Sequence, residues 1–166
     1  MIRLRALTVD DADATWSFRN DPETKALFLG NVMPNSLSQE RQWLSGLPGL
    51  EPRTISWGVE NTQRELVGFC QIKHIDYFAR HGEFSILVGP DYRGNGFGKA
   101  ATEAVLAYCF GSLNLRKVYL YVSVTNQRAA QLYASLGFQK VGTLKEHAYR
   151  DGKYLDVDIM EIFKKD

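Results

Sequence analysis

Residues 87–101 read LVGPDYRGNGFGKAA, with four glycines from Gly89 to Gly98 and the cations Arg93 and Lys99 beside the last three. The run before them, GEFSILV (82–88), has the apolar content of a strand. After them, Ala101, Val105 and Tyr108 recur at helical spacing through Phe110. The stretch therefore reads as strand, glycine loop, helix. Such a loop lets main-chain N–H groups reach a bound group without side chains in the way.

Three nucleotide- or phosphate-binding patterns compete for this loop. A P-loop needs a glycine five residues before Gly98 and a hydroxyl after Lys99, where this chain has Arg93 and Ala100. Gly96-x-Gly98-x-x-Ala101 fits a dinucleotide fingerprint, but the next strand, KVYLYVSV, ends without the carboxylate that a ribose requires. A diphosphate cradle of another kind, with anion bound by consecutive N–H groups and the helix N-terminus, remains, as does a glycine-rich turn used only for packing.

Outward from the loop, the chain alternates strand and helix patterns. IRLRAL reads as a strand. Asp10 or Asp11 can cap a helix through Phe18 that stops near Asp21-Pro22, and a short helix follows around Thr24–Leu29. NVMPNSLS reads as loop, with Ser38 as the cap of a helix carrying Trp43 and Leu44. TISWGVE and ELVGFCQIKHI form a hairpin through residues 61–64, with GEFSILV as the adjacent third strand. Ala100, Ala104 and Ala107 suggest close packing of the following helix on the sheet. KVYLYVSV is a strand, and Asn126 caps a helix that Gly137 ends. FQKVGTLKEHAY and KYLDVDIMEIF are strands joined at Asp151-Gly152, a strong hairpin signal. The whole is a mixed α/β sheet in one domain, 1–166.

Twenty basic against nineteen acidic residues give no global electrostatic case for nucleic acid or an anionic membrane, so any anion site is local. Cys70 and Cys109 lie in apolar segments and read as core. MIRLRALTVDD carries charges where a signal peptide needs an apolar centre, and no apolar run is long enough to span a bilayer. A cytoplasmic location is expected.

Arg93-x-x-Gly96-x-Gly98 matches the Q/R-x-x-G-x-G/A signature of the GNAT superfamily of N-acetyltransferases, and Asn126 through Phe138 match its N-x-x-A-x-x-L-Y-x-x-x-G-F pattern. The resemblance covers nearly all 166 residues and is nearest to the branch holding ribosomal-protein alanine and spermidine N-acetyltransferases. It implies the GNAT fold: α/β, a mixed and largely antiparallel sheet of about seven strands, splayed at the cofactor site and flanked by helices. The implied cosubstrate is acetyl-CoA, and no metal is called for.

By this resemblance the pantetheine arm pairs with the main chain of Ile86, Leu87 and Val88, and an N–H near Leu87 or Val88 meets the thioester oxygen. Arg93, Gly94, Asn95, Gly96, Phe97, Gly98 and Lys99 surround the diphosphate, although Lys99 also reads as a solvated helix residue. Asn126 adds contact with pantetheine to its role as a cap. Tyr133 sits in a helical stripe with Ala129, Leu132 and Leu136, which alone makes it a core aromatic; the family pattern makes its hydroxyl the general acid at the coenzyme sulfur. Glu83 reads either as a surface residue at a strand start or as the base that takes the amine proton, with His74 and His81 as alternatives. Arg19-Asn20-Asp21-Pro22 resembles a segment that walls the acceptor pocket in this branch. Asp156 and Asp158 share one face of the last strand, read as a solvent-facing edge.

The expected activity is direct transfer of an acetyl group to a primary amine: a small amine, a protein N-terminus or an amino sugar. The segment from Asn31 to Leu47 offers only Glu40, a departure from the acidic pattern of spermidine acetyltransferases, so a polyamine is the alternative acceptor. An acyl-CoA-binding module without turnover is the alternative function. Neither nucleic acid nor membrane is expected as a partner, and assembly as a homo-oligomer, a dimer or larger, is open.

Overall fold

A computed structural model of the protein describes residues 1–30, 33–47 and 53–165; the first two residues of the NVMPNSLS loop lie outside them. Seven strands form one sheet in the order β1-β2-β3-β4-β5-β7-β6: β1 is Arg3–Arg5, β2 Ile55–Glu60, β3 Leu66–Asp76, β4 His81–Val88, β5 Lys117–Ser123, β6 Gln139–Arg150 and β7 Lys153–Phe163. The helices are α1 (Ala12–Asn20), α2 (Pro22–Leu27), α3 (Leu37–Gly46), α4 (Phe97–Gly111) and α5 (Gln127–Ser135). This is the expected GNAT architecture. Neighbouring strands are antiparallel except β4 and β5, which α4 connects as a crossover.

Two apolar layers fill the two faces. On one, α4 and α5 pack Ala101, Val105, Cys109 and Tyr133 against Phe84, Val118 and Leu120. On the other, α1 and α3 bring Phe18 and Leu44 against Phe69 and Leu87. Phe84 and Leu87 differ in parity, so alternation along β4 sends them to opposite faces.

The turn chemistry works as the residues suggest. Asp151 and Gly152 both have positive φ, 47° and 81°, which fits a two-residue hairpin between β6 and β7. Asn126 accepts from Ala129 N–H at 3.2 Å, capping α5, and Gly137 at φ 96° ends it. Asn61 Oδ1 accepts from the N–H groups of Gln63 and Glu65, closing the β2–β3 turn.

Three expectations need correcting. Ser36, not Ser38, caps α3, because Gln39 three residues later completes a reciprocal capping box. The buried stripe of α4 is Ala101, Thr102, Val105, Leu106 and Cys109, with Ala107 exposed, since the alanine row is rotated away from the sheet. Strand β7 is interior, because β6 takes the edge. Asp156 and Asp158 are thus bonded across to β6, Asp156 by Lys145 at 2.7 Å and Asp158 by Lys140 at 2.8 Å.

The short strand β1 is held by charge as well as pairing. Arg5 forms a two-pronged contact with Asp11, at 2.7 and 2.9 Å, while its Nε reaches Glu60 at 2.8 Å. Burial opposes ionisation of Asp11, but the Arg5 contact and the N–H of Thr8 outweigh it and hold the carboxyl below its ordinary range. A depressed carboxyl stabilises the fold above its unfolded pKa, and that contribution is lost as pH falls through the folded value. Asp11→Asn should therefore lower stability at pH 7 by about 1–3 kcal/mol. The gap to the unsubstituted chain should close in acid below the ordinary carboxylate range, as read by denaturant unfolding at stepped pH.

Candidate active site

Strands β4 and β5 pair only at His81↔Lys117, Gly82↔Val118 and Glu83↔Tyr119. Beyond Glu83 they part. In an antiparallel ladder, residue pairs alternate between exchanging both hydrogen bonds and turning them outward. Gly89 N–H donates to Val67 C=O at 2.9 Å, next to the Gly68↔Val88 pair, so that pair is of the outward kind. Val88 and, by alternation, Ile86 aim their N–H and C=O groups into the gap, whereas those of Leu87 are turned to β3. The backbone role read for Ile86, Leu87 and Val88 thus narrows to Ile86 and Val88.

A cleft of about 980 Å³ runs through this gap, lined by Ile86, Leu87 and Val88 on one side and by Tyr121, Val122 and Tyr133 on the other. At one end stands the glycine loop. Gly94 and Gly96 have φ of 84° and 80°, the left-handed region where side chains are strained. A Cβ on Gly96 would meet nothing within 4 Å, so its place faces open space. No side chain caps α4, which leaves the N–H groups of its first turn facing the cleft mouth. Phe97, Gly98 and Lys99 line the same end. Asn95 does not: its amide folds back onto the carbonyls of Tyr92 and Arg93.

Arg93 lines the cleft, but its guanidinium is turned to α2. It donates to Glu23 at 2.6 Å, to Asp21 at 3.0 Å and to the Thr24 hydroxyl. It is a latch between the loop and α2. The free cations near the loop are Lys99 and Arg128, both exposed and without a bonded partner among the described residues; Arg128 lies 3.5 Å from where a Gly94 Cβ would stand. Arg128 was missed in the sequence because the helix pattern around it reads as packing and capping. These features fit the coenzyme's diphosphate and phosphate groups: an open helix N-terminus, a surface without Cβ atoms, and two uncommitted cations.

Tyr133 is 8% exposed, wedged between the rings of Phe84 and Phe138 at centroid distances of 6.4 and 5.6 Å. Its hydroxyl has no hydrogen-bond partner among the described residues, and burial pushes the phenol well above its ordinary range. It stays protonated at neutral pH, so its hydroxyl has a proton to donate. Core packing and cleft lining therefore coincide in one residue. Asn126 also lines the cleft; its Oδ1 serves the helix cap, and its amide N–H groups are left for a ligand.

At the apex of the parting, Glu83 accepts from Lys73 at 3.1 Å and meets His74 Nδ1 at 2.9 Å. Glu83, Ser85 and Leu87 share the sheet face that α1 and α3 cover, opposite Phe84. His81, by contrast, has a buried Nδ1 with no partner among the described residues and does not line the cleft. His147, which does, sits in a bulge of β6 next to Glu146 at φ 50°, so reading that segment as a regular strand hid it. Arg150, read as part of a hairpin turn, clamps the far end of α2: it donates to the carbonyls of Lys25, Phe28 and Gly30 at 3.0–3.2 Å.

Both thiols are buried away from the cleft, and burial pushes Cys109 up to about 12 and Cys70 further. Neither is a reactive nucleophile.

Residues 2–139 match the GNAT acetyltransferase domain family. The chain is 39% identical over 106 residues to the spermidine N(1)-acetyltransferase of Vibrio cholerae, a match covering 64% of this chain and 61% of that protein. It is 30% identical over 165 residues to the uncharacterized N-acetyltransferase YoaA of Bacillus subtilis, covering 97% of this chain and 92% of that one. Its structure superposes on the Vibrio cholerae spermidine N-acetyltransferase crystallised with CoA and spermine at a TM-score of 0.89, with 30% identity, over 98% of this chain and 95% of the other. The family match spans most of the chain and the superposition nearly all of it, and the chain belongs to the GNAT family of acetyltransferases, N-acetyltransferases that use acetyl-CoA.

Proposed function

We propose that the chain transfers an acetyl group directly from acetyl-CoA to a primary amine of a small molecule or peptide. The observation that carries this reading is the gap between β4 and β5, where the Ile86 and Val88 main chains face Tyr133's side of the cleft, with the α4 N-terminus at its mouth. The coenzyme supplies an activated thioester and a thiol leaving group.

The chain's own groups then divide the work. First-turn N–H groups of α4, with Arg128 and Lys99, hold the diphosphate end. Ile86 and Val88 present an unpaired strand edge to the pantetheine amides, and the Val88 N–H stabilises the developing oxyanion. Glu83 accepts the amine proton, directly or through water, and His74, with its side chain 70% exposed, carries it to solvent. Tyr133 donates a proton to the departing sulfur. No acetyl-cysteine is needed, in keeping with two buried, unreactive thiols.

Similarity to the spermidine N-acetyltransferases favours a polyamine as a second reading of the acceptor. Coenzyme A release over an amine panel tests the activity, with acetyl-CoA binding followed by calorimetry. Binding without release from any amine would instead leave an acyl-CoA-binding module.

Three substitutions test the roles. Gly96→Val adds a side chain where the loop faces open space, at a φ that disfavours it. Calorimetric binding of acetyl-CoA should disappear while circular dichroism stays native, and unchanged binding would remove the cradle. Glu83→Gln should lower kcat on the order of a hundredfold and alter the acidic limb of the pH–rate profile. Tyr133→Phe keeps the buried ring and removes only the hydroxyl: kcat should fall about a hundredfold at similar acetyl-CoA affinity. A fall of less than roughly tenfold would assign Tyr133 to packing alone.

A further inference from the structure

α1 delivers Arg19 to the acceptor face, where its guanidinium lies 4.2 Å from the Trp43 ring centroid and 4.6 Å from that of Phe69. Its Nε donates to Glu40 Oε1 at 3.1 Å, and Asn35 donates to the other oxygen of Glu40, a residue only 1% exposed. The two η nitrogens of Arg19 have no partner among the described residues, and they are not sealed from solvent. Arg19 lines the main cleft and also an adjoining chamber of about 180 Å³; Thr24, Phe28 and Leu87 border both.

A guanidinium stacked on two rings and tied at Nε is fixed in orientation. Its remaining fork of N–H donors matches a carboxylate or phosphate. Lys25, also on the chamber wall, has no bonded partner for its ammonium among the described residues. Carboxylates show the opposite pattern. Glu23 is engaged by Arg93, Glu40 by Arg19 and Asn35, and Glu83 by Lys73 and His74. A polycation entering here would meet the unbonded η donors of Arg19 and the Lys25 ammonium, and each carboxylate lining the two cavities already has a partner.

We propose that the acetyl acceptor is an anionic amine, whose carboxylate or phosphate is received by the η donors of Arg19 with Lys25 at the rim. This rests on the N-acetyltransferase reading and names its substrate class. The acceptor lies along the α1–α3 face with its amine toward Glu83 and its anion in the chamber beside Leu87.

The test uses the purified chain, saturating acetyl-CoA and thiol release, with matched amines that differ only in the anion. L-lysine against cadaverine forms the carboxylate arm, phosphoethanolamine against ethanolamine the phosphate arm, and spermidine is run beside them. The anionic member of at least one pair should have a kcat/KM at least tenfold higher, and the arm that responds identifies the anion. Arg19→Met alone would strand the buried Glu40, so it is paired with Glu40→Gln, which should bring the preference to within about twofold. Arg19→Lys keeps a charge near Glu40 but lacks the fork, and should also cut it. Turnover of spermidine or the anion-free amines at equal or higher efficiency would overturn the proposal and leave the acetyltransferase reading standing. So would a preference that survives both Arg19 variants. Acetyl-CoA binding with no release from any amine would overturn both.

Discussion

Three residue pairs join β4 to β5, and past Glu83↔Tyr119 the main-chain groups of Ile86 and Val88 face a gap instead of a strand. Main-chain groups left without a partner strand must be satisfied by water or by a ligand that enters the cleft. The gap therefore persists only because packing holds the strands apart while the cleft admits something able to bond those groups. Tyr133 of α5 packs between Phe84 of β4 and Phe138 after the helix. One buried aromatic cluster lies beside the opening and places a phenol on its wall.

The two ends of α2 are fastened to different parts of the site. Arg93 ties its first turn, through Asp21, Glu23 and Thr24, to the glycine loop that precedes α4. Arg150 ties the chain after it to the end of β6. Short helices have little stability of their own, so these contacts, more than helix propensity, set where the acceptor wall stands. They also mean that the coenzyme loop and the acceptor wall share a side chain. The signature arginine has its guanidinium engaged by Asp21, Glu23 and Thr24.

Electrostatics here is entirely local. A chain with a formal net charge of +1 exerts no long-range pull on anions. Yet in the cleft and its adjoining chamber Lys99 and Arg128 have no bonded partner among the described residues, while Glu23, Glu40 and Glu83 are each matched to a protein cation. That asymmetry suits a cosubstrate rich in phosphate and an acceptor that carries an anion of its own.

Much of this was legible in the residues. Strand periodicity, Asp151-Gly152, the Asn126 cap and the density of glycine between Gly89 and Gly98 are local signals, because turn and capping chemistry act within a few residues. They set the element order and marked the loop, and the family patterns added Tyr133 and the β4 main chain. What a side chain meets across the fold is not a local property. Arg93 reaches α2 some seventy positions earlier, and Arg128 and His147 line the cleft only once the sheet brings their elements together. Whether Leu87 or Val88 turns its N–H into the gap depends on register with β3, and a shift of one residue would reverse it. Sequence determined which elements form and where the phosphate loop lies; tertiary structure alone decided which groups face the cleft, because pairing register and the partners of each charge are set by contacts between distant segments.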